Sequence, residues 1–106
     1  MTKVTYRSYY DRFLVIVDGH SGYARCGEDV VCAGISTLVY TLVNTMLDEE
    51  ASGNVKLRRN ILRDGYVCLE IELFEFSGNR IRGIIDTFMN GIMMLQESYP
   101  KNIFVE

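Results

Sequence analysis

One histidine, His20, and three cysteines, Cys26, Cys32 and Cys68, are the residues of this chain best suited to nucleophilic or metal chemistry. Cys32 stands out because of what precedes it. Gly27-Glu28-Asp29 leads straight into an apolar run of helical spacing, so Asp29 is an N-cap candidate and Cys32 falls in the first turn. Unpaired amides and the helix dipole at that end favour an anion, and the thiolate is the reactive form of cysteine. His20 lies upstream in Asp18-Gly19-His20-Ser21-Gly22-Tyr23-Ala24, where glycines interrupt any regular structure. A loop of that length can fold the imidazole back over the helix start. The pair would then activate a thiol for acyl transfer, with first-turn amides as an oxyanion hole.

Each residue also has a plainer reading. A free cysteine between Val31 and Ala33 is more often a small buried helix residue, and His20 can simply bond to loop backbone. Asp29 and Ser36 stand three before and four after Cys32, on its helical face. Asp29 either caps the helix alone or also orients His20. Ser36 either bonds near the thiol or returns its proton to the Cys32 carbonyl. Gly19, Gly22 and Gly27 permit unusual backbone angles and close approach of a bound chain, which marks a substrate loop expected to order on binding.

Other chemistries fit less well. His20, Cys26 and Cys32 are separated by five residues at each step, and no Cys-x-x-Cys or His-x-x-x-His pattern occurs. No zinc site, and no other metal or cofactor, is expected. The glycine loop lacks the Gly-Lys-Ser/Thr ending of a phosphate loop. Cys26 as a redox partner of Cys32 has no support from spacing. Cys68 falls opposite the apolar register of its strand and receives no role.

The elements that must position these residues follow from periodicity. Val4 to Tyr10 and Phe13 to Val17 read as two strands, the second buried, joined as a hairpin. Val31, Ile35, Leu38, Val39, Leu42, Val43, Met46 and Leu47 give a helix from near Asp29 to between Asp48 and Ala51. Val55, Leu57 and Ile61 suggest a strand, Arg63-Asp64-Gly65 a turn, and Val67 to Leu73 a strand alternating with Cys68, Glu70 and Glu72. Ser77-Gly78-Asn79 breaks the pattern. Ile81 to Leu95 mark a second amphipathic helix, stopped at Tyr99-Pro100, and Asn102 to Val105 a short strand. The order β-β-α-β-β-α-β predicts an α+β domain, two helices on a largely antiparallel sheet.

Composition sets the frame. A chain of 106 residues, 48% hydrophobic and 24% charged, fits one globular domain spanning 1–106. The net charge, 11 − 14 = −3, argues against nonspecific nucleic-acid binding. The N-terminal segment lacks a signal peptide's apolar region, and the apolar run Phe13–Val17 is too short for a membrane span. A cytoplasmic protein with reduced thiols is expected. Lys56, Arg58, Arg59 and Arg63 form the main basic patch, either a solvated strand face or a contact for RNA or an acidic partner. The helical apolar stripes are wide, which suits burial by a second copy.

The segment Asp18 to Ala24, followed by Gly27-Glu28-Asp29-Val30-Val31-Cys32-Ala33-Gly34-Ile35-Ser36, closely resembles the ribosomal-processing cysteine protease Prp family. That family places Gly-His near a strand end and Gly-x-Asp-Ile/Val-Val-Cys-Ala-x-x-Ser at a helix start. The resemblance runs over essentially the whole chain. It implies a cysteine endopeptidase that removes a short N-terminal extension from large-subunit ribosomal protein twenty-seven, cutting after hydrophobic, phenylalanine-rich residues. It implies Cys32 as nucleophile and His20 as general base and then acid. Asp29 and Ser36 fall on the family's other invariant polar positions, and the family is homodimeric. Ser21 departs from the pattern, since many members carry alanine there, as does Gly34. The alternative from another class is a noncatalytic ribosome- or RNA-associated module using Arg58 and Arg59.

Overall fold

The first half of the sheet follows from alternation. In the computed structural model, which describes residues 1–25, 27–74 and 77–106, β1 (Thr2–Ser8) pairs antiparallel with β2 (Arg12–Asp18). Val4, Phe13, Val15 and Val17 are buried on one face. After α1 (Val30–Ala51), a second hairpin joins β3 (Val55–Arg63) to β4 (Tyr66–Leu73) through Asp64-Gly65. α2 (Gly78–Ser98) then leads to β5 (Ile103–Val105), which pairs parallel with β1. Among the described residues these strands form one sheet ordered β3-β4-β2-β1-β5, antiparallel except at β5. The expected α+β architecture and element order are therefore observed.

Both helices cover the face that carries Val15, Leu69 and Ile71. α1 is rich in β-branched residues, each costing a few tenths of a kcal/mol of helix propensity relative to alanine. Burial outweighs that cost. Val31, Ile35, Val39, Leu42, Val43 and Met46 enter the core, and a fully buried side chain of this kind contributes roughly 1.5–3 kcal/mol. On the outer side, Thr37, Thr41 and Thr45 return their hydroxyls to carbonyls one turn back, so their polar groups stay paired. α2 contributes Ile81, Ile85, Phe88 and Ile92.

Four details differ from expectation. Cys68 is 1% exposed although it points away from Leu69, and Ile16 and Ile61 flank it on the neighbouring strands. Ile61 lies there because a register shift between Leu57 and Arg59 reverses the facing of the rest of β3. α2 begins at Gly78, directly on the predicted break. α1 as a whole is long and apolar enough to cross a membrane by length and composition, which the run Phe13–Val17 is not, but its apolar stripe is packed into the core.

On the sheet's outer face the basic patch has carboxylate partners. Arg59 and Arg12 pair with Glu70 at 3.2 and 2.8 Å, and Arg58 pairs with Glu72.

Candidate active site

Three elements converge at one end of the sheet: the exit of β2, the start of α1 and the β3–β4 turn. Gly19 makes the exit possible. Its φ is +92°, and a Cβ there would stand 2.6 Å from the Met1 carbonyl oxygen. Its N–H donates to the Gly65 carbonyl at 2.7 Å, and its own carbonyl accepts from the Thr2 hydroxyl at 3.1 Å. Asn102 donates to the Ser21 carbonyl at 3.0 Å, and the Tyr23 ring meets Tyr99 edge-on, with centroids 5.2 Å apart. The glycine loop is thus tied to β1, the β3–β4 turn and the segment before β5.

Asp29 is the hub of this region. It caps α1 in an extended conformation, and its Oδ1 accepts from the Cys32 amide at 2.9 Å. Its Oδ2 accepts from the Ser21 hydroxyl at 2.5 Å and the amides of Tyr23 and Ala24 at 3.0 and 3.2 Å. Burial alone would raise this carboxyl. The Ser21 hydroxyl and the Cys32, Ala24 and Tyr23 amides outweigh burial and hold it far below the usual carboxylate range.

Cys32 is half-buried in the first turn of α1, as its spacing predicts. Its sulphur accepts from the Ser21 amide at 3.3 Å and lies 3.2 Å from the Ser21 Oγ. The His20 ring is 65% exposed and rests on the β3–β4 turn, with Nε2 3.9 Å from Asp64 Oδ1. A Cβ on Gly65 would come within 2.9 Å of that nitrogen. His20 and Cys32 line one cleft of about 890 Å³, bordered also by the apolar bodies of Leu62 and Tyr40. Among the described residues no hydrogen bond joins the imidazole to the thiol, so the two are neighbours of one cleft rather than a formed pair.

The other predicted residues fall as follows. Gly19, Gly22 and Gly27 line the cleft, and Ser36 lies exposed on its α1 wall. Among the described residues the Ser36 hydroxyl makes neither of its expected bonds. The amides of Cys32 and Ala33 donate to the Asp29 side chain and carbonyl. Cys26 lies outside the described residues, and with it the redox reading. Sequence reasoning missed Ser21. It is 1% exposed and touches both Asp29 and Cys32, yet it showed in the sequence only as a departure from a pattern.

The sequence model of the family described as cysteine protease Prp matches residues 1–104. The chain belongs to this family. Ribosomal processing cysteine protease Prp from two Staphylococcus aureus strains, Mu50 and NCTC 8325, is 28% identical over 90 residues. The match covers 84% of this chain and 80% of the relative. A crystal structure of SMU.848 from Streptococcus mutans has a TM-score of 0.69 at 28% identity, covering 100% of this chain and 92% of that one. The S. aureus essential ribosomal processing protease Prp, in complex with a covalently linked product peptide, has a TM-score of 0.77 at 23% identity. That match covers 100% of this chain and 98% of the other and supports the shared fold.

A Prp cysteine protease needs a thiol that a peptide can reach. Of the two described cysteines, Cys68 is sealed in the sheet and Cys32 lines the cleft.

Proposed function

We propose that this chain is an endopeptidase that removes a short N-terminal extension from large-subunit ribosomal protein twenty-seven in the bacterial cytoplasm. Cys32 is the nucleophile, and His20 is the general base and then the acid. The observation that carries this reading is the shared cleft, with a helix-capped thiol on one wall and the chain's single imidazole on another. Membership of the Prp family and the names of the S. aureus relatives support the substrate class.

In this mechanism an extended peptide enters between the glycine loop and the β3–β4 turn, its apolar residues against Leu62 and Tyr40. The His20 ring leaves Asp64 and takes the thiol proton. The thiolate attacks the scissile carbonyl, and His20 returns the proton to the leaving amine. Water activated by His20 then hydrolyses the acyl-enzyme. Asp29 fixes the thiol's helix turn and the loop, and Ser36 lines the path of the peptide. The active form is a homodimer. Tyr40 and Leu47 on α1 and Met93 and Met94 on α2 remain exposed in one copy, which supports that reading.

The test is incubation of the purified chain with the ribosomal precursor, read by mass spectrometry. Cys32→Ala is expected to abolish cleavage with folding retained, and His20→Ala to lose most of it. Undiminished cleavage by Cys32→Ala would overturn the assignment.

A further inference from the structure

Ser21 is buried in a loop whose neighbours are largely exposed, and its hydroxyl lies between two acids. Asp29 Oδ2 is 2.5 Å away on one side and Cys32 Sγ 3.2 Å away on the other. A hydroxyl has one proton to give and lone pairs to receive. Asp29, satisfied by three backbone amides besides Ser21, is held ionised and can only accept. The Ser21 proton therefore belongs to Asp29. What the hydroxyl offers the sulphur is a lone pair, which receives an S–H and gives a thiolate nothing.

We propose that Ser21 is a positioning residue that orients the Cys32 thiol in the resting enzyme, through an S–H···Oγ bond backed by Asp29. This rests on Cys32 being the nucleophile. On activation the S–H bond breaks, its proton passes to the imidazole of His20, and the electron pair stays on sulphur. The thiolate keeps the Ser21 amide donor at 3.3 Å. The single hydroxyl proton then faces two anions and serves one at the expense of the other.

The other titratable groups lining the cleft are His20, Tyr40, Arg63, Asp64 and Tyr66. Among the described residues none of them is hydrogen-bonded to the Cys32 sulphur. A hydroxyl that merely tied the loop to Asp29 would not govern how thiol reactivity depends on pH.

The experiment is alkylation of the intact chain by iodoacetamide from roughly pH 6 to pH 10, a range spanning ordinary thiol ionisation, with modification at Cys32 followed by peptide mass spectrometry. Ser21→Ala is expected to react roughly three- to ten-fold faster than wild type at neutral pH, the effect of losing one hydrogen bond to the neutral form. The ratio should fall towards one at the alkaline end, where both thiols are ionised. Ser21→Thr, which keeps a hydroxyl, is expected to follow wild type. A ratio constant across pH would mean altered access only, and slower reaction at neutral pH would mean that the hydroxyl donates to the thiolate. Either result overturns the proposal. If Ser21→Ala loses its helical circular dichroism, Ser21→Gly carries the same comparison. Alkylation needs no cleavage, so failure here leaves the nucleophile assignment standing, whereas failure of that assignment appears as cleavage by Cys32→Ala.

Discussion

The Nε2 atom of His20 lies 3.9 Å from Oδ1 of Asp64, on the turn that borders the Cys32 cleft. Asp64 is 98% exposed at its side chain, so this contact is a solvated resting place. Exposed ion pairs contribute little, from nothing to about 1 kcal/mol. Gly65 shapes the resting place more than Asp64 does, because its missing Cβ leaves room for the ring.

Asp64→Asn is therefore expected to change kcat/KM for the precursor peptide by no more than about two-fold, since the pair it removes is a weak exposed one. A loss of two orders of magnitude would instead make Asp64 a third member of the catalytic group. Gly65→Ala is expected to do more. The residue's φ of +73° strains any L side chain by roughly 1–2 kcal/mol, and the added methyl displaces the imidazole. Thermal unfolding and peptide cleavage, measured on the same variant, separate the two effects.

Asp29 supports both the thiol and the loop, so Asp29→Ala is expected to lower kcat by roughly 10²-fold through misplacement of the reacting groups. It also carries a pH signature. The folded carboxyl titrates below the unfolded one, so its stabilisation is complete above the ordinary carboxylate range and is lost as pH falls through and below it. The stability gap between wild type and Asp29→Ala should therefore be widest near neutrality and shrink on acidification below about pH 4. Denaturant titrations at several pH values check this. A gap that widens in acid would contradict the assigned network.

Much of this molecule was legible from local pattern. Apolar spacing located both helices, and Asp29 was visible as a cap because capping is decided within four residues. The α+β order followed from counting elements. The facing of Cys68 was legible but its burial was not, because its neighbours Ile16 and Ile61 come from two other strands. Ile61 was placed in its strand, but its facing was not legible, because a bulge resets strand parity without a marker in the sequence. The feature that identified the helix start, the Asp29 cap, also takes the Cys32 amide, which spacing alone does not show. Ser21 was invisible as a functional residue, since its two contacts lie eight and eleven residues away and only the folded loop joins them. The position of the His20 ring is likewise set by a hairpin more than forty residues downstream.

At the other end of α1, Glu49 is a carboxylate buried near the negative end of the helix dipole, where it is unwelcome without a cation. Arg80, in the first turn of α2, supplies one at 2.5 Å, and Asn54 adds a donor at 3.4 Å. The Arg80 hydrogen bond leads in holding the Glu49 carboxyl below its usual range, with burial opposing. Breaking a fully buried pair costs about 3–5 kcal/mol, but the Arg80 side chain is 66% exposed and water can partly replace it. Arg80→Ala is thus expected to lower stability by about 1–2 kcal/mol. Because the folded Glu49 carboxyl is depressed, that difference should be full near neutral pH and fade as pH falls through the carboxylate range. Cleavage should stay within about two-fold of wild type, since the pair and the Cys32 cleft sit at opposite ends of a helix roughly 30 Å long. A large loss of kcat with stability unchanged would show that the two ends of α1 are coupled, and would require the cleft to depend on how α2 docks.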